Sequence, residues 1–487
     1  MLKDKILIVD KAFMERYFPE KTGILDLVRS VTHADGSEFT DAPEDLRTEI
    51  PWAEIRQISF VDDIDCSRFL KSPEFRLCVN VESFEVKAGW YERPIQVMDH
   101  DTEGVLFYGD GDYRTMLRYP QGKKAVSYTV PADVKRLEIG CFRDAVSLEA
   151  VVFLSNVYYI PSECFLGCSS LRSISGGALN SFAKRAFWGC DHITGAIIPD
   201  RFLSVDRDTF EEGYDAMPDH LLKLITSNNP PENWEQADEI GRCGDRAFWF
   251  FRKEPNPETG EKTDVCRFCG TGEIWDYEES YSGAIHWADR AFIERGITSI
   301  GRNAFSGSNI NTVTMADTVR AIHDGAFFEA VIEKLEIPGT VRYLGSDIIG
   351  GDPSGINELV LSAEIEKLSP EALWSRTVSV TKVKLTGPEP PGDFAMWIRA
   401  GLAGPEWQEW SVKILYPACW KEKMDKDYFA RARKALDEPL SINDKYSQPA
   451  YRDMWMDALD FCERCVLGGD DPEEGTEYGM IPEERIG

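Results

Sequence analysis

A short pattern of apolar and polar positions recurs along the chain and predicts a stack of strand-and-turn coils. Each copy runs over nine residues and closes with a small residue followed by a large one, usually phenylalanine. The first four copies close at Phe142, Phe165, Phe187 and Phe210, which lie 23, 22 and 23 residues apart. Further copies end at 305, 327, 349 and 373. A constant period of this length is the sequence signature of a solenoid, in which each copy forms one coil.

Between these copies lies a second element, in which apolar residues stand at the first, fourth and sixth places. It occupies 148–153, 310–315, 332–337 and 356–361. Its last three residues alternate as they do in a strand that has one buried face. Because no single coil can bury its closing phenylalanine, the coils must stack, and the rings are predicted to form the core.

The combined unit resembles the BspA-type leucine-rich repeat, whose copies look like Leu-x-x-Val-x-Ile-Pro-x-x-Val-x-x-Ile-Gly-x-x-Ala-Phe-x-x-Cys. The resemblance covers about residues 95 to 420. It implies an α+β repeat solenoid in which BspA-like leucine-rich repeats form a stacked-strand array. Segments 104–131 and 243–276 resemble the β-hairpin preambles of such arrays, and 414–417 resembles a closing strand. Cys141 and Cys164 depart from the usual alanine.

The sequence predicts five regions along the chain. They are an N-terminal capping region over 1–95, a first array over 96–233, a preamble hairpin insertion over 234–295, a second array over 296–390, and a closing strand, helical cap and acidic tail over 391–487. One helical face of the last region carries Tyr451, Trp455, Ala458, Leu459, Cys462 and Val466. We expect this helix to cover the last coil, because an open solenoid end exposes core and strand edges.

The charge of the chain excludes several classes of partner. Lys and Arg number 54 against 84 Asp and Glu, which gives a net charge of −30. A cationic face for nucleic acid or for anionic lipid is therefore not expected. No apolar run approaches the roughly 18 residues of a membrane span, and residues 1–10 lack a signal-peptide core. We expect a cytoplasmic protein, with the cell surface or secretion as the alternative if the native product carries an export signal.

Two Cys-x-x-Cys pairs, Cys266/Cys269 and Cys462/Cys465, are the first candidates for metal ligands. They are far more widely separated than the roughly 15–20 residues of a zinc ribbon. Cys266 and Cys269 fall on a predicted strand, whose alternation sends the two sulfurs to opposite faces. We therefore predict no metal site, while whether either pair binds a metal or forms a disulfide is left open.

No other motif predicts chemistry. The segment 99–110 superficially matches a calcium loop, but a strand follows it where a helix is required. The six histidines form no metal-binding or nucleophile-activating motif. We expect no catalytic residue and no cofactor.

Stacked strands give an extended sheet face whose outward side chains are free to vary. On this model the outward positions are Val152, Ser175, Ile197, Thr312, Thr314, Lys334, Glu336, Glu358, Val360, Lys382 and Lys384. Their mixture of apolar, hydroxyl and charged groups suits a protein partner. The hypothesis is a non-enzymatic protein-binding scaffold. The resemblance implies an adhesin-like role in bacteria, whereas the lack of a recognisable export signal favours a cytosolic scaffold or sensor. The alternative is an enzyme or effector whose active site lies in the unmatched terminal regions.

Overall fold

In the computed structural model the chain forms two compact units, residues 1–219 and 220–487. The structure describes residues 2–3, 5–18, 50–61, 66–87, 98–109, 114–211, 213–214, 217–278, 284–350, 355–373, 380–403, 413–438, 449–468 and 478–480.

The first unit begins with a small α/β layer. Its sheet has the order β1 (Leu2–Lys3), β2 (Ile6–Val9), β3 (Gln57–Val61) and β4 (Ser83–Lys87), and the last three strands are parallel. Its helices are α1 (Lys11–Tyr17), α2 (Ser67–Lys71) and α3 (Pro73–Arg76), with a 3-10 turn at Trp52–Glu54. The Asp10 carboxylate accepts from the Phe13 amide at 2.7 Å and so starts α1. Phe13, Phe60 and Phe69 are buried in the core of this layer.

The rest of the first unit is the first array, preceded by a hairpin. Strands β5 (Met98–His100), β6 (Leu106–Tyr108) and β7 (Arg114–Arg118) are antiparallel, and β9 (Val134–Leu137) joins β7 in parallel. One parallel sheet of the coils has the order β12 (Ser173–Gly176), β10 (Ala150–Phe153), β8 (Ser127–Val130). A second contains β11 (Tyr159–Ile160), β13 (Ser181–Phe182) and β14 (Ser204–Asp206).

The closing phenylalanines of this array stack as predicted. Phe142 and Phe165 have ring centroids 4.8 Å apart, Phe165 and Phe187 5.4 Å, and Phe187 and Phe210 5.1 Å, with ring planes within 16° of parallel. Because each ring fills the space inside its coil and covers the next, the stack is the continuous core of the array.

A ladder of hydrogen bonds at the corner holds neighbouring coils in register. The amide of Phe142 donates to the carbonyl of Cys164 at 2.9 Å, and the amide of Phe165 donates to that of Ala186 at 2.8 Å. In most coils the residue two positions before the closing residue has positive φ, as at Glu163 (58°) and Arg185 (56°). This left-handed residue turns the chain so that alternate amides point along the solenoid axis, where the next coil accepts them.

The second unit has a long sheet and a short one. In the long sheet, β15 (Glu239–Arg242), β16 (Ala247–Pro255) and β17 (Lys262–Gly270) are antiparallel. They are followed in parallel by β19 (Trp287–Ile293), β21 (Asn309–Met315), β23 (Val331–Glu336), β25 (Gly355–Ser362), β27 (Val380–Thr386) and β28 (Lys413–Pro417), and β29 (Tyr478–Met480) is antiparallel to β28. The short sheet contains β18 (Gly272–Glu273), β20 (Ile297–Ile300), β22 (Ala321–Ile322), β24 (Tyr343–Leu344) and β26 (Lys367–Leu368). Phe305 and Phe327 stack at 5.2 Å.

Helices lie at both ends of this unit. Helix α4 (Asp219–Thr226) and a 3-10 turn at Trp234–Gln236 precede β15. Helices α5 (Phe394–Arg399), α6 (Lys426–Asp437) and α7 (Pro449–Gly468) follow the last coil, with a 3-10 turn at Ala418–Trp420.

The predicted helical cap is present. The end of α5 accepts backbone hydrogen bonds from the last coil, at 3.1 Å from Glu371 to Arg399 and at 2.7 Å from Leu373 to Ala400. The apolar face of α7 is buried, and its Trp455 lies beneath the Arg399 guanidinium, 5.6 Å from ring centroid to Cζ. The finer division into five regions stays a prediction.

Candidate functional site

The predicted face depends on an inner row of buried apolar residues, which occupy equivalent places on the strands of the second array. Val313, Leu335, Leu359 and Val383 occupy equivalent places on β21, β23, β25 and β27, pair in register, and are 2 % exposed or less. Burying such side chains contributes about 1.5–3 kcal/mol each, so this row sets which side of every strand faces inward. The residues beside them are thereby directed outward.

The structure brings seven of the predicted residues together on four adjacent strands. We call this set the strand face; it comprises Thr312, Thr314, Lys334, Glu336, Glu358, Lys382 and Lys384. Thr312, Lys334, Glu358 and Lys382 are successive partners across the sheet. All seven side chains are exposed or half-buried. Parallel strands lie about 4.8 Å apart, so residues more than twenty positions apart in sequence become neighbours.

Two lysines of the strand face, Lys334 and Lys382, are paired with carboxylates of the same face. The Lys382 ammonium donates to Glu358 Oε2 at 3.2 Å, and Lys334 Nζ lies 3.4 Å from Glu336 Oε2. Such exposed pairs stabilise the fold by at most about 1 kcal/mol each. The strand face therefore presents alternating positive and negative groups, on a chain whose net charge is −30.

Val360 does not belong to the exposed face, contrary to the sequence prediction. It is only 6 % exposed, although it stands at an outward place on β25. Its partners on the adjacent strands are Glu336 and Lys384, and the long aliphatic stems of such side chains cover a shorter neighbour. Val360 is therefore part of the apolar layer beneath the charged side chains.

In the first array, the structure brings together two of the three predicted residues. Val152 and Ser175 are direct partners on β10 and β12 and are half-buried and exposed. Ile197 is not on a strand, which corrects the prediction. It lies in a 3-10 turn, Gly195–Ile197, in which the Ile197 amide donates to the Thr194 carbonyl at 3.3 Å. The small, flexible Gly195 begins this turn, where the first array has Ala150 and Ser173 at the equivalent places.

Sequence reasoning missed a coil of this sheet at β19. Arg290 is the register partner of Thr312, and Phe292 is that of Thr314, so both extend the rows of the strand face. The ring of Phe292 contacts two guanidinium groups, with its centroid 4.6 Å from Cζ of Arg267 and 5.7 Å from Cζ of Arg290. The signal was present as an alanine-x-x-alanine-x-isoleucine copy of the strand element at 288–293, with alanines in place of larger residues.

A carboxylate network stabilises the sheet next to these aromatic residues. Glu254 accepts from the Arg267 guanidinium at 2.7 and 2.9 Å and from that of Arg252 at 2.8 Å. The bond to Arg267, followed by that to Arg252, lowers the pKa of Glu254 to about 2. Glu254 is therefore ionised at every physiological pH, and it joins β16 to β17 electrostatically.

The candidate metal ligands are placed as follows. Cys266 and Cys269 are both buried on β17, and burial raises the pKa of Cys269 to about 12, which disfavours the thiolate that binds metals. Asp101 belongs to the segment 99–110, which superficially matches a calcium loop. Its carboxylate accepts hydrogen bonds from the amides of Glu103 and Val105 and from the Tyr128 hydroxyl, each within 2.9 Å. In the parts of the chain that the structure describes, no three His, Cys, Asp or Glu side chains form a group that could hold a metal ion. The Cys465 side chain lies outside the described residues.

No helix in the described ranges is both long enough and apolar enough to span a membrane.

Comparison with known proteins supports the repeat assignment. The model of the BspA type leucine-rich repeat region matches six copies, over residues 121–215 and 289–387. These ranges coincide with the coils of the two arrays. No curated protein matches the chain.

Three solved structures of bacterial proteins are similar to parts of the chain. A leucine-rich repeat protein from Eubacterium ventriosum is 18 % identical over 26 % of this chain and 42 % of its own, with a TM-score of 0.20. A leucine rich cell surface protein from Faecalibacterium prausnitzii is 15 % identical over 63 % and 98 %, with a TM-score of 0.22. The pneumococcal vaccine antigen PcpA is 10 % identical over 68 % of each chain, with a TM-score of 0.24. At these TM-scores the superpositions support no inference about this chain.

Proposed function

The two arrays of this chain are BspA-type leucine-rich repeats, and from that premise we propose that the chain is a non-enzymatic scaffold that binds another protein through the strand face. The observation that carries the proposal is the register of Thr312, Lys334, Glu358 and Lys382 across four adjacent strands. Register turns residues of separate coils into one continuous surface.

The chemistry of this surface favours a protein partner. It carries hydroxyl groups at Thr312 and Thr314, both signs of charge at Lys334 and Glu336, and an aromatic ring with two guanidinium groups at its β19 border. Aromatic and arginine side chains carry much of the binding free energy in protein interfaces, while alternating charges select partners whose charges alternate in the complementary order.

The expected partner is a folded protein whose own surface carries both signs of charge. Lys382 and Glu358 already neutralise each other, as do Lys334 and Glu336. A strongly charged partner would therefore gain little at this face, whereas one with mixed charges can exchange these pairs for pairs across the interface.

The test is affinity capture from a lysate of the source cells with the immobilised full-length chain. The face variant carries Lys334→Glu, Lys382→Glu and Lys384→Glu. A matched control makes the same change at three exposed lysines of the same unit that lie outside the strand face, Lys262, Lys367 and Lys426. Both variants replace three positive charges with three negative ones. Thermal unfolding followed by circular dichroism checks that both variants fold.

The proposal predicts that a protein captured by the natural chain is lost with the face variant and retained with the control. Capture that is equal for both variants, or lost with both, would contradict a binding role for the strand face.

A further inference from the structure

A cluster of exposed cationic and aromatic side chains lies on the first array, away from the sheet that holds Val152 and Ser175. It consists of Lys135 and Arg136 on β9 and Tyr158 and Tyr159 in the next coil, and we call it the basic-aromatic patch. β9 and β11 lie side by side, with Cα atoms within 8 Å. The corner bonds and the stacked rings of these two coils place Lys135 and Arg136 in the same repeat slots as the two tyrosines.

The two cations have no carboxylate partner among the described residues, although acidic groups flank them in sequence. Asp133 is 2.7 Å from the Arg114 guanidinium, and Glu138 is 3.6 Å from Lys71 Nζ. Both neighbouring carboxylates are thus committed to other cations. Lys135 and Arg136 are both exposed and lie between the buried Val134 and Leu137 on β9.

The aromatic part of the patch is unusually exposed. Tyr158 is 58 % and Tyr159 45 % accessible, although tyrosine rings bury well in protein cores. Ile139, three residues after Arg136, is also 56 % accessible. Tyrosine and arginine side chains are enriched among the residues that dominate binding at protein interfaces.

We infer that the basic-aromatic patch docks an acidic segment of a partner protein. The carboxylates of this acidic segment would pair with Arg136 and Lys135, and the apolar side chains of the segment would lie on the two tyrosine rings. The composition of the whole chain makes basic side chains without an acidic partner unusual. Because 84 acidic residues stand against 54 basic ones, most basic side chains can find a carboxylate on the chain itself. Two adjacent cations without one are complementary to an external carboxylate.

Salt limits the repulsion that the rest of the chain exerts on an acidic segment. At physiological ionic strength the screening length is about 8 Å, so distant carboxylates contribute little at the patch. Nucleic acid is less suitable, because its affinity depends on many phosphate contacts and the patch offers two cations. Anionic lipid likewise requires clusters of about four to eight basic residues. An acidic peptide with apolar side chains uses both halves of the patch.

The test measures fluorescence anisotropy of a fluorescein-labelled peptide of glutamate, glycine and phenylalanine with the full-length chain at physiological ionic strength. A control peptide, the glutamine twin, has the same sequence with glutamine in place of every glutamate. The patch variant carries Lys135→Gln and Arg136→Gln. The control variant carries Arg172→Gln and Lys184→Gln, which removes two exposed cations of the same unit that each have a carboxylate at 3.9 Å.

We expect the patch variant to bind the glutamate peptide about tenfold more weakly than the natural chain, which corresponds to about 1.4 kcal/mol. The control variant should bind within about twofold of the natural chain, since a paired cation contributes little to an external ligand. Tyr158→Ala, which keeps both charges, should also weaken binding, and the glutamine twin should not bind.

The variant Lys334→Glu, Lys382→Glu, Lys384→Glu should bind this peptide as the natural chain does, so the inference stands or falls separately from the strand face. Absence of glutamate-peptide binding, or equal loss with the patch and control variants, would overturn it. Patch-dependent binding of oligothymidylate or of phosphatidylserine vesicles in preference to the peptide would assign the patch to nucleic acid or to membrane instead.

Discussion

Replacing one ring in the middle of the phenylalanine stack tests the central physical claim about the fold. Phe165 is fully buried between Phe142 and Phe187, with ring planes 11° and 5° from parallel. Phe165→Ala is expected to cost about 3–5 kcal/mol, since it removes a large side chain and leaves a cavity. Of this, each lost ring contact accounts for about 0.5–1.5 kcal/mol.

Phe210 provides an internal comparison, because it has one ring neighbour among the described residues. It stacks on Phe187 at 5.1 Å. Phe210→Ala should therefore cost about 1 kcal/mol less than Phe165→Ala, the contribution of one missing ring contact. Leu154→Ala is the surface control in the same unit: Leu154 is 62 % exposed, and the change should stay within about 0.5 kcal/mol.

The assay is urea unfolding combined with hydrogen exchange of peptides from residues 134–210. Exchange reports the free energy of opening for each coil, which is required because a solenoid can open locally. The loss in Phe165→Ala should be largest in its own coil and in the two adjacent ones. A loss below about 1 kcal/mol, or one no larger than that of Leu154→Ala, would refute the stacked-ring account.

Three further predictions address the corner, a carboxylate and the thiols. Gly325 has φ 63°, and a Cβ there would collide with Asn303 Oδ1, so Gly325→Ala should lower stability to thermal unfolding by about 1–2 kcal/mol, whereas Gly392→Ala, with open space around it, should not. The pKa of Glu254 is lowered to about 2, so its stabilisation is present above pH 4.5 and is lost as the pH falls through about 2. Glu254→Gln should be less stable at neutral pH by on the order of 2 kcal/mol, and urea titrations at several pH values should show this difference vanish near pH 2. Among the described cysteines, alkylation of the native chain followed by peptide mapping should label Cys419 first, since the others are buried; early labelling of the others would contradict the packing.

The repeat pattern was sufficient to predict the solenoid and its core. The 22–23-residue spacing located the rings of Phe142 and Phe165, and the helical face containing Trp455 located the cap. These features depend on hydrophobic periodicity within a single coil or helix, and the chain carries that information locally. The left-handed corner residue was not predicted, because glycine marks it in some coils and Glu163 or Arg185 in others.

The candidate face was predicted only in part, for a related reason. The predicted outward residues on β21, β23 and β27 are exposed or half-buried, while Val360 is buried and Ile197 lies in a 3-10 turn. Whether an outward side chain is accessible depends on the size of its neighbours in the adjacent coils. The pattern within one coil contains no information about them.

Sequence alone determined the period, the inner row and the layer of rings, because hydrophobic burial imposes them on every coil separately. Tertiary structure decided which outward groups meet. It pairs Lys382 with Glu358, and it places Lys135 and Arg136 beside Tyr158 and Tyr159, where no carboxylate of the described residues pairs with either cation. Such neighbours are more than twenty residues apart along the chain but about 5 Å apart across the coils, so their contact follows from the register of stacking.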